Sequence, residues 1–275
     1  MNEVTTVEVT VDGPIGIVTL QRPERRNAIN AAMIEAFSEI LGRLETAKDV
    51  RVVIVRGAGK AFCSGFDLGE DYSEDRNAEE WRTVLSRELE FLVRVWDFPK
   101  PVIAAVHGFA LAGGLELALA CDITVSDSQA RFGVPEIRFG SGFVALFLPW
   151  FAGLKKSKEL MFTGEDRISA AEALDMGLVN RVVVPERLFV TCLDLARTIA
   201  SMDTAKITLL KRALNSTANI MGMEGAIRAA LNYEIEIECL KTEDSLMFQD
   251  ILRRDGVKAA LTWRDARFRG EADHG

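Results

Sequence analysis

Two short stretches of this sequence could do chemistry together. The first is Ala112-Gly113-Gly114-Leu115-Glu116, and the second is Phe132-Gly133-Val134-Pro135-Glu136. Glycines that turn a strand into a buried helix leave backbone N–H groups bare at the helix start. Such groups are ready donors for an oxygen that gains negative charge. Glu116 follows just inside the helix, and Glu136 follows a short strand later. Two carboxylates beside a backbone donor suit proton transfer next to a polarised carbonyl. Each acid also has a plain explanation. A first-turn glutamate stabilises the helix macrodipole, and Pro135 fits a first helical turn that Glu136 would simply extend.

Other chemistries fit less well. Gly57-Ala58-Gly59-Lys60-Ala61-Phe62-Cys63-Ser64-Gly65-Phe66-Asp67-Leu68 is glycine-rich after a strand, but Lys60 is followed by Ala61 and position 62 is Phe. It therefore meets neither the phosphate-loop nor the dinucleotide fingerprint, and a tight surface turn explains it on physical grounds. Gly140-Ser141-Gly142 lacks the nucleophile-elbow spacing because position 139 is Phe. The four cysteines (Cys63, Cys121, Cys192, Cys239) and the two histidines (His107, His274) show no metal-ligand spacing. His107 reads as a hydrogen-bonded core residue, with a Cys63–His107 nucleophile pair as the lesser option. Trp96, Trp150 and Trp263 read as core or interface.

The elements that must position these residues follow from hydrophobic period. Val4–Leu20 alternates around Asp12-Gly13-Pro14 and predicts a hairpin. Helical spacing predicts helices over Asn27–Ala47, Asn77–Trp96, Leu146–Phe162, Ser169–Met176, Leu188–Met202, Ala205–Ala218, Met223–Leu240, Ser245–Arg254 and Gly256–Phe268. Buried strands are expected over Arg51–Arg56, Val102–Val106, Ile123–Val125 and Val182–Val184. The order is strand–helix repeats followed by helices alone, which predicts an α/β core. Apolar faces in the tail (Leu209, Leu210, Leu214; Ile227, Leu231, Ile235) must pack on the core or on another subunit.

Composition narrows the field. With 48% hydrophobic and 27% charged residues the chain reads as soluble and globular. No apolar run is long enough to span a bilayer, and the start has no basic residue before Arg22, unlike a secretory or transit peptide. Scattered cysteines imply reduced thiols and a cytoplasmic setting. A net charge of −8 argues against a nucleic-acid partner, and any anionic ligand would need local positive charge.

Ala112–Ala118, Cys121-Asp122-Ile123 and Phe132–Glu136 together resemble the core of the enoyl-CoA hydratase/isomerase (crotonase) superfamily. Phe162–Val179 resembles it too, for a structural reason. The resemblance runs from about Val7 to Phe268, clearly through Val184. It implies an α/β fold, a crotonase-like ββα spiral core over 1–200 with a C-terminal helical extension, 201–275, that forms a trimerisation region. It implies a homotrimer or dimer of trimers acting on an acyl-CoA, with no cofactor beyond that thioester and no metal.

By the same resemblance, the N–H groups of Phe66 and Gly113 form an oxyanion hole. Glu116 is the base that takes the water proton, and Glu136 is the acid that protonates the α-carbon; the two roles could be exchanged. Arg25, Arg26, Ser64, Asp67, Leu68, Gly114 and Phe143 are expected at the CoA or substrate, with Lys155, Lys156 and Lys158 as a second basic cluster. The implied activity is enoyl-CoA hydration. Double-bond isomerisation, C–C cleavage and non-catalytic CoA binding are the alternatives. The segment after Glu136 is a few residues shorter than the family usually has. No acid occurs between Glu136 and Gly153, which argues against dienoyl-CoA isomerisation and aryl-CoA dehalogenation. Phe139, Phe143 and Phe147 suggest an apolar acyl site, though core packing explains them equally well.

Overall fold

The structure, a computed structural model, describes residues 5–269. Val4 and His274 lie outside the described residues. The hairpin strands β1 (Val7–Asp12) and β2 (Ile15–Leu20) lead into α1 (Ala31–Thr46), β3 (Val52–Gly57), α2 (Leu68–Asp71) and α3 (Ala78–Trp96). Next come β4 (Val102–Val106), β5 (Phe109–Leu111), α4 (Gly113–Ala120), β6 (Ile123–Asp127) and β7 (Arg131–Gly133). A 3₁₀ turn (Glu136–Phe139), α5 (Leu148–Thr163), β8 (Ile168–Ser169), α6 (Ala170–Asp175) and β9 (Arg181–Val183) follow. Five helices complete the chain: α7 (Leu188–Ala200), α8 (Thr204–Ile220), α9 (Met223–Cys239), α10 (Glu243–Asp255) and α11 (Val257–Arg269).

The strands form two sheets. A six-stranded sheet has the order β1-β2-β3-β4-β6-β9, antiparallel only between β1 and β2. A three-stranded sheet has the order β5-β7-β8. The chain visits them in turn: β4 then β5, β6 then β7, β8 then β9. That alternation, with helices between, is a ββα spiral. The large sheet is apolar on both faces because both are covered. Val53 and Val55 face the main core beneath α1 and α3, whereas Val52 and Ile54 face α7 through Leu188, Cys192 and Ala196.

Several expectations shift. Asn27–Asn30 is not helical: Arg26 and Asn27 take left-handed φ values of 51° and 56°, and α1 starts after Asn30, whose side chain accepts the Met33 N–H. β5, β7 and β8 had no legible alternation because each has only two or three residues. Helix α5 breaks at Gly153. Ile227 and Ile235 of α9 join the main core, while Leu209, Leu210 and Leu214 of α8 stay exposed. The range boundary at 200/201 falls between α7 and α8. Cys63, Cys121 and Cys192 are buried free thiols, and Cys239 is exposed.

Candidate active site

One cavity of about 840 Å³ gathers most of the residues singled out above. Its lining includes Phe66, Gly113, Glu116 and Glu136, and also Arg25, Arg26, Ser64, Asp67 and Leu68.

Two loops build the backbone-donor wall. The first is held from outside by Asn27, which is fully buried. Its amide nitrogen donates to the carbonyls of Ala58 (2.9 Å), Ala61 (2.8 Å) and Phe62 (3.2 Å), and its oxygen accepts the Arg22 N–H. Bridges from Ile29 to Phe66 and from Cys63 to Ala110 then fix the chain through Phe66. The second loop turns at Ala112, which holds φ 52° and ψ −130°, a conformation that costs a non-glycine residue roughly 1–3 kcal/mol. Ala112 donates to the Gly133 carbonyl at 2.9 Å, and Gly113 opens α4. The N–H groups of Phe66 and Gly113 make no hydrogen bond among the described residues, so both remain able to donate. The two loops touch. A Cβ on Gly113 would stand 2.5 Å from the Phe66 ring, and one on Gly114 would fall on the Cys63 carbonyl oxygen. Glycine at both positions is a matter of contact.

Glu116 lies on the buried first turn of α4. One carboxyl oxygen accepts the Ala145 N–H at 2.9 Å, and the other is buried with no partner. Burial raises its pKa well above the usual carboxylate range, and the neighbouring Glu136 charge adds to this. Glu136 begins the 3₁₀ turn and opens into the cavity. Loss of water around it pushes its pKa up to about 8. The charge of Glu136 is felt at Glu116, so the two carboxyls lie near enough to influence one another.

The cavity also carries cations. Arg25, Arg26, Arg131, Arg167 and Lys258 line it, and the Arg26 guanidinium sits 5.5 Å over the Phe109 ring. Lys258 comes from α11, so the C-terminal helices contribute to the wall. Arg131, Arg167 and Lys258 were not singled out in the sequence, because nothing local distinguishes them from surface charge.

Some expected residues stand elsewhere. Gly114 and Phe143 do not line the cavity. Gly114 packs on Cys63, and the Phe143 N–H donates to Glu234 at 2.8 Å while Ser141, Gly142 and Val144 present that loop to the cavity. Lys155, Lys156 and Lys158 lie on α5 and do not reach the cavity, and Lys156 pairs with Glu159 at 2.8 Å. Asp67 lines the cavity, but its carboxylate is engaged by Arg22 (2.8 Å) and the Gly69 N–H (3.0 Å), so it braces the loop. Of the three phenylalanines, Phe139 alone reaches the cavity, stacked on Phe248. His107 is half-buried and bonds the Gly59 carbonyl, while the Cys63 thiol donates to the Asn27 carbonyl and is pushed up to about 12 by burial. That removes the Cys–His nucleophile option.

The largest surprise is acidic. Asp71, Glu88, Glu234 and Glu238 are all buried, and all line the same cavity. Glu234 accepts the N–H groups of Gly142 and Phe143. Glu238 accepts Tyr72 Oη at 2.7 Å and Ser141 Oγ at 2.5 Å. A signal existed: Glu88 sits between Leu85, Leu89 and Leu92, and Glu234 and Glu238 flank Ile235 on the inward face of α9. A charge on an apolar stripe is an anomaly worth following.

The profile of the enoyl-CoA hydratase/isomerase family matches residues 10–244. This chain belongs to that family. The chain is 38% identical to the short-chain-enoyl-CoA hydratase of Clostridium acetobutylicum over 88% of its own length and 92% of the relative's. It is 33% identical to the crotonyl-CoA hydratase of Syntrophomonas wolfei over 92% and 94%. A crystal structure of an enoyl-CoA hydratase/isomerase from Xanthobacter autotrophicus Py2 superposes with a TM-score of 0.93 at 41% identity, covering 96% of this chain and 98% of the other. The spiral described above is therefore the crotonase fold. Among the described residues no helix is long and apolar enough to cross a membrane, and no cluster of His, Cys, Asp and Glu is placed to hold a metal ion.

Proposed function

We propose that this protein is an enoyl-CoA hydratase that adds water reversibly across the α,β double bond of a 2-enoyl-CoA thioester. One observation carries the reading: two unbonded N–H groups, of Phe66 and Gly113, line one cavity with the carboxyls of Glu116 and Glu136. The hydratase names of the relatives agree with it.

In this reading the thioester oxygen accepts both N–H groups, and the enolate that forms on hydration is stabilised there. One such donor contributes roughly 3–4 kcal/mol to a transition state. Water attacks the β-carbon as Glu116 takes its proton, and the α-carbon receives a proton from Glu136. The raised pKa of Glu136 suits a group that must hold a proton near neutral pH; Glu116 is raised by burial too, so its assignment as base rests on the backbone hydrogen bond it accepts. The Ala145 N–H stabilises a charge on Glu116. Arg25, Arg26, Arg131, Arg167 and Lys258 offer the local positive charge that CoA phosphates need on an acidic protein. No cofactor beyond the thioester is required.

The exposed apolar face of α8 supports self-association as a trimer or dimer of trimers, which light scattering on the eluting protein measures. The free thiols support a cytoplasmic location.

Crotonyl-CoA is the test substrate. The absorbance of the conjugated thioester should fall, and the product should gain the mass of one water. An unchanged mass with a shifted double bond would favour isomerisation, and cleavage products would favour C–C chemistry. Tight CoA binding without turnover on any enoyl substrate would favour a binding protein.

A further inference from the structure

Beyond the catalytic pair, the cavity wall is acidic in a way that packing does not explain. Glu88, on α3, is 3% exposed, and Asp71, at the end of α2, is 8% exposed. Both line the cavity, and among the described residues no backbone or side-chain N–H or O–H donates to either carboxyl. Buried carboxyls are ordinarily paired. Their neighbours in the lining are Tyr72, Trp81, Leu85, Ser141 and Glu238. The last two and Tyr72 are bonded to one another, so they offer Asp71 and Glu88 nothing. Arg76 stacks on Trp81 at 5.2 Å and Arg87 lies 3.9 Å from Glu70; their charges reach Asp71 and Glu88 respectively and each keeps one buried nitrogen without a partner among the described residues, but neither arginine bonds these carboxyls or lines the cavity. No metal-binding geometry exists here among the described residues.

An all-hydrocarbon acyl chain filling this space would seal two carboxyls away from water with no partner. A chain that ends in a hydrogen-bond donor would satisfy them. We propose that Asp71 and Glu88 recognise a donor group, a hydroxyl or an ammonium, on the acyl chain, making the substrate a polar-tailed 2-enoyl thioester. This rests on the enoyl-thioester reading above. Trp81 and Leu85 would flank the methylene spacer, and the aromatic face favours a cation in particular.

Binding of unreactive saturated thioesters tests the proposal without turnover. Acyl-CoAs of matched length, from four to eight carbons, carry a terminal methyl, hydroxyl or amine, and calorimetry reads their Kd on the full-length protein. At the matching length, a polar-tailed thioester should bind about 10-fold more tightly than its methyl-ended counterpart, the size expected for one hydrogen bond gained in a buried site. Glu88→Leu should bring that preference to within about twofold, the scatter of near-neutral substitutions.

The isosteric Asp71→Asn, Glu88→Gln double variant keeps the volume and guards against a folding defect. In it a hydroxyl preference should survive and an ammonium preference should be lost, which separates the two donors. Methyl-ended chains binding as tightly as both polar series at every length would overturn the proposal. So would a preference unchanged in both variants. Crotonyl-CoA hydration in the same preparation reads the reaction separately. Turnover without tail discrimination sinks this inference alone, and discrimination without turnover sinks the reaction alone.

Discussion

Around Gly113 the cavity presents backbone N–H groups; around Asp71 and Glu88 it presents side-chain carboxyls. The first region is built by contact. Ala112 is twisted, Gly113 and Gly114 are pressed on Phe66 and Cys63, and Asn27 clamps the adjoining loop. A backbone donor does not depend on which side chain its residue carries, so Phe can occupy position 66. The second region is assembled from α2, α3, α9 and the loop at Ser141, and its chemistry depends wholly on side-chain identity. The contrast teaches that one cavity can hold a backbone wall fixed by contact and a side-chain wall that single substitutions can adjust.

The sharpest test of that division compares single amides. Glu116→Gln and Glu136→Gln should each lower kcat on crotonyl-CoA by about 10²–10⁴-fold, the range for a lost acid or base. Glu234→Gln should fall well short of that, since Glu234 acts by holding the Gly142 and Phe143 N–H groups. Equal losses in all three would erase the distinction between the walls. Next in size is Gly114→Ala. Its methyl would land on the Cys63 carbonyl and displace the start of α4, and loss of one well-aimed donor costs kcat about 10²–10³-fold. Steady-state kinetics alongside far-ultraviolet circular dichroism would separate displacement from unfolding.

A smaller effect is expected from pH. The acid of the pair must carry its proton, so kcat/KM for hydration should fall as pH rises through about 8, the value for Glu136. Asp71→Asn should leave that limb where it is. The second region should add to the pH dependence of stability. Asp71 is raised from its ordinary value to about 7 by burial, so between about 4 and 7 the folded chain holds a proton that the unfolded chain has lost. Stability therefore declines as pH rises across that window. The thermal midpoint should drop by a few degrees between the two ends, and Asp71→Asn should lessen the slope, leaving the share of the other raised carboxyls such as Glu136 and Glu234. A midpoint that rises with pH there would contradict a buried neutral acid.

Much of the first region was legible in the chain. Glycine before an apolar helix, an acid in its first turn and Pro-Glu after a short strand are local patterns with local causes, and they fall within a few dozen residues. Helices α3 and α6 were legible through their apolar spacing, and the capping boxes that start them at Asn77 and Ser169 are local too. The three short strands were not, since two or three residues carry no period. Phe143 and the lysines of α5 were misplaced because neither loop direction nor helix rotation is written in residue type.

From residue order alone came the period of the helices and strands, the alternating pattern that demands an α/β core, and the acids and glycines expected at one site. Tertiary structure alone decided that Glu88, Asp71, Glu234 and Glu238 share a cavity with Glu116 and Glu136, that Lys258 reaches it from the far end of the chain, and that Gly114 packs where it was expected to bind. The reason is physical. Hydrogen bonds within a turn and side-chain spacing along a helix are set by near neighbours. The burial that raises a carboxyl's pKa is set by whatever distant segments the hydrophobic effect folds over it.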